Sequence, residues 1–231
     1  MGESEAAITI QGFFRRHLLE KQMVLHQAIS KSPNVSLLHM MNLRFQCMRA
    51  VAAAKLPLKK PIEDKEQEVR IIAGVKRLAT DSGIIDLDTI DRIFQHYFEL
   101  SKAIQRPYYG LIWDKAPRDT QTLVSNAYIQ LRNLVSQAGF VHIIYCQEER
   151  PFQCAEVLVL ARDIIQQVNQ EIINILSNNE KHKLNEVTKE EMAEVIRIML
   201  ANYMTPNELK SGMKTIQSLA SELNGFSLSR C

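Results

Sequence analysis

Arg44 and Lys55 stand eleven residues apart, almost three whole helical turns, so in a helix both cations leave the same side with Met48 and Val51 between them as an apolar floor. Taken alone, the pair reads as two solvated basic residues. Asp64, Gln67 and Glu68 come next, at the head of a following helix. Capping by itself accounts for Asp64, because its carboxylate accepts the free amides of a first turn, and a first-turn acid is the ordinary reading of Glu68. A helix start also offers unpaired amides to an anionic group. Ser101 and Gln105 lie one turn apart on a helix whose other face is Ile93, Phe94, Tyr97 and Ile104. They are either surface residues or a hydroxyl and a neutral amide aimed at a ligand.

Order and spacing join these three sets. Arg44-x10-Lys55, then Pro61-Ile-Glu-Asp64-x-x-Gln67-Glu68, then Ser101-x-x-x-Gln105 resembles the all-helical chorismate mutases of the AroQ type. The stretches Arg49-Ala-Val-Ala-Ala-Ala-Lys55 and Ser82-Gly-Ile-Ile-Asp86 are similar to the family as well, and the likeness covers residues 37 to 109. The resemblance implies a Claisen rearrangement of chorismate, a small dianion, to prephenate, with no cofactor, no metal and no covalent intermediate. Arg44 would clamp a carboxylate. Lys55 and Gln105 would donate to the ether oxygen as negative charge grows there, and Glu68 would accept from the ring hydroxyl. Asp64 and Ser101 would position the helix ends and the substrate. In length the chain is similar to the longer, gamma subclass, which completes its site within one polypeptide and adds an arginine from the helix after the Ser/Gln pair. Arg132, in Leu131-Arg-Asn-Leu-Val-Ser-Gln137, matches that arginine. One departure stands out: Gln67 occupies the place where the family usually has arginine, and Arg70 lies one turn further on.

Positioning such side chains requires helices, and helical periodicity runs through nearly the whole chain, so the expected fold is all-α, a multi-helix bundle with the site inside one chain. Residues 1–31 read as an appended amphipathic helix and 32–231 as the mutase-like domain. Within it, a helix from a Ser36 cap to about Lys60 is expected. Others follow from an Asp64 cap to Ala79, from Asp86 or Asp88 through Gln105 with a break near Pro107, over about 119–138, over 153–176, from a Thr188-x-x-Glu191 capping box to about Met204, and from Thr205-Pro206 to about Leu223. Only the stretch 140–146 suggests a strand.

Composition sets the bounds. The 231 residues are 46% hydrophobic and 23% charged, a globular balance, and Lys+Arg 28 against Asp+Glu 26 is far from the basic excess of a nucleic-acid binder. The acidic start and the lack of an eighteen-residue apolar run argue against a Sec signal and a membrane span. Four cysteines without metal-ligand spacing fit a reduced compartment, the cytosol by default, although Cys146 and Cys154 are close enough to be bridged in an exported protein. Six histidines share no spacing with acids or cysteines that would hold a metal. The N-terminal Ile10-Gln11-Gly-Phe-Phe-Arg15-Arg16 looks like the first half of an IQ motif, and Ile10 to Lys21 offers an apolar stripe beside a basic one, suited to calmodulin or a calmodulin-like partner. Packing of that helix against its own core explains the same residues. A catalytically impaired scaffold with such a partner is the alternative function, and export into a host cell by a non-Sec route the alternative location. A monomer and a homodimer both fit.

Overall fold

A helix that is apolar on every side has to be surrounded, and Val35–Lys55 (α1) is such a helix: Leu37, Leu38, Met41, Phe45, Cys47 and Ala50 to Ala54 are buried around its whole circumference. In the computed structural model, which describes residues 34–114, 120–138, 153–178 and 187–226, six further helices follow. They are Lys65–Asp81 (α2), Leu87–Asp114 (α3), Thr120–Ala138 (α4), Cys154–Ser177 (α5), Lys189–Leu200 (α6) and Pro206–Gly225 (α7). Helix α1 runs through the middle, packed most extensively on α5 and then on α3 and α4. Helix α2 lies across α3 and α5 with lighter contact, and the α6–α7 pair docks through α7 onto α3. One hydrophobic core joins all seven.

The all-α expectation is met among the described residues. Capping decides most of the starts. Asp64 Oδ1 accepts from Gln67 N at 3.1 Å, and both Thr188 with Glu191 and Thr205 with Glu208 form reciprocal capping boxes. Several boundaries differ from expectation; α6 ends at Leu200 rather than near Met204, the chain turning over 201–204. Helix α1 begins after Asn34 rather than Ser36 and stops at Lys55, because the chain turns at Leu56 to Lys59 with Lys59 at φ 52°. Helix α3 continues through Pro107 instead of breaking there, at the cost of the one backbone hydrogen bond that a proline cannot donate. No described helix is long and apolar enough to cross a membrane. The IQ-like segment, the suggested strand at 140–146 and Cys146 fall outside the described residues.

Candidate functional site

Where α1, α2, α3 and α5 meet, a cavity of about 420 Å³ is left between them. Arg44 projects into it from the middle of α1 and is 2% exposed. Its Nε donates to Asn169 Oδ1 at 3.2 Å, and its Nη1 donates to Ser101 Oγ at 2.7 Å, while Ser101 itself donates to the Tyr97 carbonyl. The guanidinium carbon lies 5.2 Å from the Tyr97 ring centre and 5.9 Å from that of Phe98. All of these partners are neutral, and among the described residues no carboxylate pairs with Arg44. Burial is the main influence on its pKa and pulls it down to about 10, so the group stays charged at neutral pH. Of the five N–H donors of a guanidinium, two are used. A buried cation with spare donors and no counter-ion costs several kcal/mol unless an anion meets it.

Lys55, the last residue of α1, is also buried. Its Nζ donates to the carbonyls of Pro61 at 3.0 Å and Ile62 at 2.9 Å, which ties the α1–α2 turn to the cavity and leaves one of three protons for a ligand. Burial lowers its pKa, against the opposing pull of Asp64. Across the cavity, Gln105 is buried on α3. Its Nε2 donates to the Ser101 carbonyl at 3.2 Å and makes a weak contact to Met48 Sδ at 3.8 Å, and its Oε1 is buried without a partner. Helix α2 supplies Gln67 and Glu68 from its first turn, directly after the Asp64 cap.

Other charged groups complete the wall. Lys102 lies 3.2 Å from Glu68, 2.9 Å from Glu99 and 3.7 Å from Glu63, so it holds the Glu68 carboxylate at the cavity. Burial opposes the Lys102 charge, but hydrogen bonds to Glu99 and Glu68 outweigh it and raise the pKa. Arg162 of α5 reaches Asp64 Oδ2 at 3.3 Å, and Arg70 donates to Gln67 Oε1 at 3.2 Å. The lining carries six cations, Arg44, Lys55, Arg70, Arg77, Lys102 and Arg162, against the carboxylates of Asp64 and Glu68 in the lining and of Glu63 and Glu99 beside Lys102. Such an excess favours a ligand of more than one negative charge. Met48, Val51, Ile71, Val75, Leu158 and Ile165 are among its apolar lining residues.

Of the residues singled out in the sequence, Arg44, Lys55, Asp64, Gln67, Glu68, Ser101 and Gln105 all line this cavity. Arg132 does not. It sits on the exposed side of α4, one position past the buried Leu131, and a step of one residue turns a helical side chain by about 100° away from the core. The arginine that reaches the cavity from the later helices is Arg162. Sequence reasoning missed it along with Asn169 and Lys102. A signal for the first two was present: Leu158, Arg162, Ile165, Asn169 and Ile172 recur at helical spacing, two polar residues set into an otherwise apolar stripe.

The site is thus a cation-rich, largely apolar cavity enclosed by four helices of an all-helical bundle. Residues 33–106, which span α1, α2 and α3 as far as Arg106, match the family model described as Chorismate mutase type II, and a chorismate-mutase-type domain is thereby indicated over that part of the chain. No curated protein and no solved structure matches the chain.

Proposed function

We propose that the cavity rearranges chorismate to prephenate by binding and electrostatics alone. The observation that carries this reading is Arg44, a buried, charged guanidinium held by neutral partners beside a cavity, with donors to spare. Arg44 clamps one substrate carboxylate through a forked pair of hydrogen bonds, and Arg162 takes the clamping place first given to Arg132 for the other. The two clamps hold the extended ether in its folded, reactive shape. As the carbon–oxygen bond breaks and a carbon–carbon bond forms, negative charge gathers on the ether oxygen. There the free Lys55 proton and the Gln105 amide, exchanging its weak sulfur contact for oxygen, donate more strongly than they do to the ground state. Glu68, steadied by Lys102, accepts from the ring hydroxyl. Asp64 and Ser101 fix the α2 start and the Arg44 fork.

The cavity walls come from α1, α2, α3 and α5, and the site is proposed to be complete within one polypeptide, as in the longer gamma-type mutases. Helix α5 lies beyond the family-matched stretch and still lines the cavity, which supports taking 32–231 as the working unit. The proposal is tested by mixing purified protein with chorismate and following the loss of its absorbance. A rate no faster than buffer overturns it.

The pH profile is expected to be distinctive. Gln105 donates at every pH, so turnover persists through neutrality instead of peaking below pH 5. On the alkaline side Lys55 must keep its proton to donate. Because burial lowers its pKa, it gives that proton up sooner than a free lysine, and the rate falls off before the usual lysine value of about 10.4 is reached. A profile of kcat against pH that collapses by pH 7 contradicts this.

At Gln67 a neutral donor stands in place of a charged one, a loss of roughly 1.5 to 3 kcal/mol of charge-assisted contact. Turnover below that of an arginine-bearing site follows, with Arg70 behind the amide offsetting part of the loss. Gln67→Arg is therefore expected to raise kcat/KM by about tenfold. A variant that is folded and no faster than the parent removes Gln67 from the reaction.

A further inference from the structure

Asn169 occupies an unusual position for a carboxamide. It is 4% exposed on α5, 125 residues from Arg44 in sequence, and its Oδ1 accepts from the Arg44 Nε at 3.2 Å. Since a guanidinium only donates, it dictates that the oxygen of the carboxamide, not the nitrogen, faces it. Together with Ser101 Oγ on Nη1, this contact fixes two edges of the guanidinium plane from two different helices, α5 and α3. With those edges held, the plane cannot rotate about its own axis, and the remaining N–H groups keep one direction. Asn169 also lines the cavity, so it lies beside the place where the ligand binds.

Its neutrality is as informative as its geometry. A carboxylate of the same shape would make the same hydrogen bond and would also neutralise a cation that is otherwise without an acidic partner among the described residues. Buried ion pairs of that kind stabilise an arginine already out of water, whereas an unpaired one is costly. The residue present orients the charge and leaves it unsatisfied. We infer that Asn169 is a positioning residue for anion binding, aiming the Arg44 guanidinium at a ligand carboxylate while keeping its charge available. This rests on the proposed reading of the cavity as a dicarboxylate site, and it places part of the anion receptor on a helix outside the family-matched residues 33–106.

The roles separate in Asn169→Asp. Supplying the missing counter-ion is expected to raise the melting temperature by about 2–4 °C. Affinity for a bicyclic dicarboxylate transition-state analogue, measured by calorimetry, is expected to fall about a hundredfold, since the cation is already paired when the ligand arrives. Asn169→Leu removes the acceptor without adding charge and is expected to lower both quantities. In turnover, the aspartate variant raises KM more than it lowers kcat, because clamping is common to ground and transition states. A purely structural asparagine predicts that stability and affinity move together in both variants, and that result overturns the positioning role. So does an aspartate variant that binds the dicarboxylate as tightly as the parent. If the parent protein itself does not bind the dicarboxylate, the reading of the cavity fails at its root, and the role of Asn169 goes with it.

Discussion

Lys55→Ala is expected to lower kcat by about a thousandfold while changing KM far less. Removing one preorganised donor from a site of developing negative charge typically costs a hundred- to a thousandfold, and Lys55 is the charged one of the two donors assigned to the ether oxygen. Its charge counts for more than it would in water, because the ammonium sits in the interior of the bundle, 6% exposed, with the apolar Met48 and Val51 on the same helix face. The ground-state ether oxygen carries little charge, so the contact strengthens mainly in the transition state, and the loss falls on kcat. A second consequence is structural and smaller. The carbonyls of Pro61 and Ile62 lose their donor, but Pro61 is exposed and Ile62 partly so. Water replaces the ammonium there, and the cost in stability is about 1 kcal/mol. Helical content and melting temperature close to those of the parent, with kcat reduced as stated, is the expected combination. Retained turnover in a folded Lys55→Ala protein would remove the lysine from the chemistry.

Arg44→Met separates binding from folding in a different way. Methionine fills much of the arginine stem's volume and carries no charge, so the desolvation penalty of the buried guanidinium disappears. Stability is expected to be unchanged or to rise by about 1 kcal/mol or more, although Asn169 Oδ1 loses its partner. Affinity for a dicarboxylate is expected to fall roughly a thousandfold, because a buried carboxylate without its cation is among the most expensive arrangements a protein can hold. A stable variant that no longer binds is the signature of a residue kept for function at the expense of the fold. Unchanged dicarboxylate affinity in Arg44→Met would refute the clamp and, with it, the assignment of the cavity.

Much of the bundle could be read in the chain because its signals are local. The Asp64 cap, the Thr188–Glu191 box and the Thr205-Pro206 start each depend on side chains within three residues of the amides they satisfy, and each lies where it was expected. Ser36 is not the cap: Asn34, two residues earlier, begins the helix without its side chain capping the first-turn amides, so the start leaves little trace in the sequence. At Pro107 the local preference is to break a helix, yet α3 runs on through it to Asp114.

For the candidate site, the sequence determined which side chains share a helix face. Arg44 with Lys55, and Ser101 with Gln105, follow from helical repeat alone. It did not determine whether those faces turn inward. The pair Arg44 and Lys55 is an ordinary solvated couple on an isolated helix and becomes a buried pair of cations lining one cavity only because α5, α3 and α4 enclose α1. Only tertiary structure could replace Arg132 with Arg162 and bring Asn169 to Arg44 across 125 residues. Backbone periodicity sets directions within one helix, whereas the distance between charges on different helices is set by how the apolar faces pack, and that packing is a property of the whole chain.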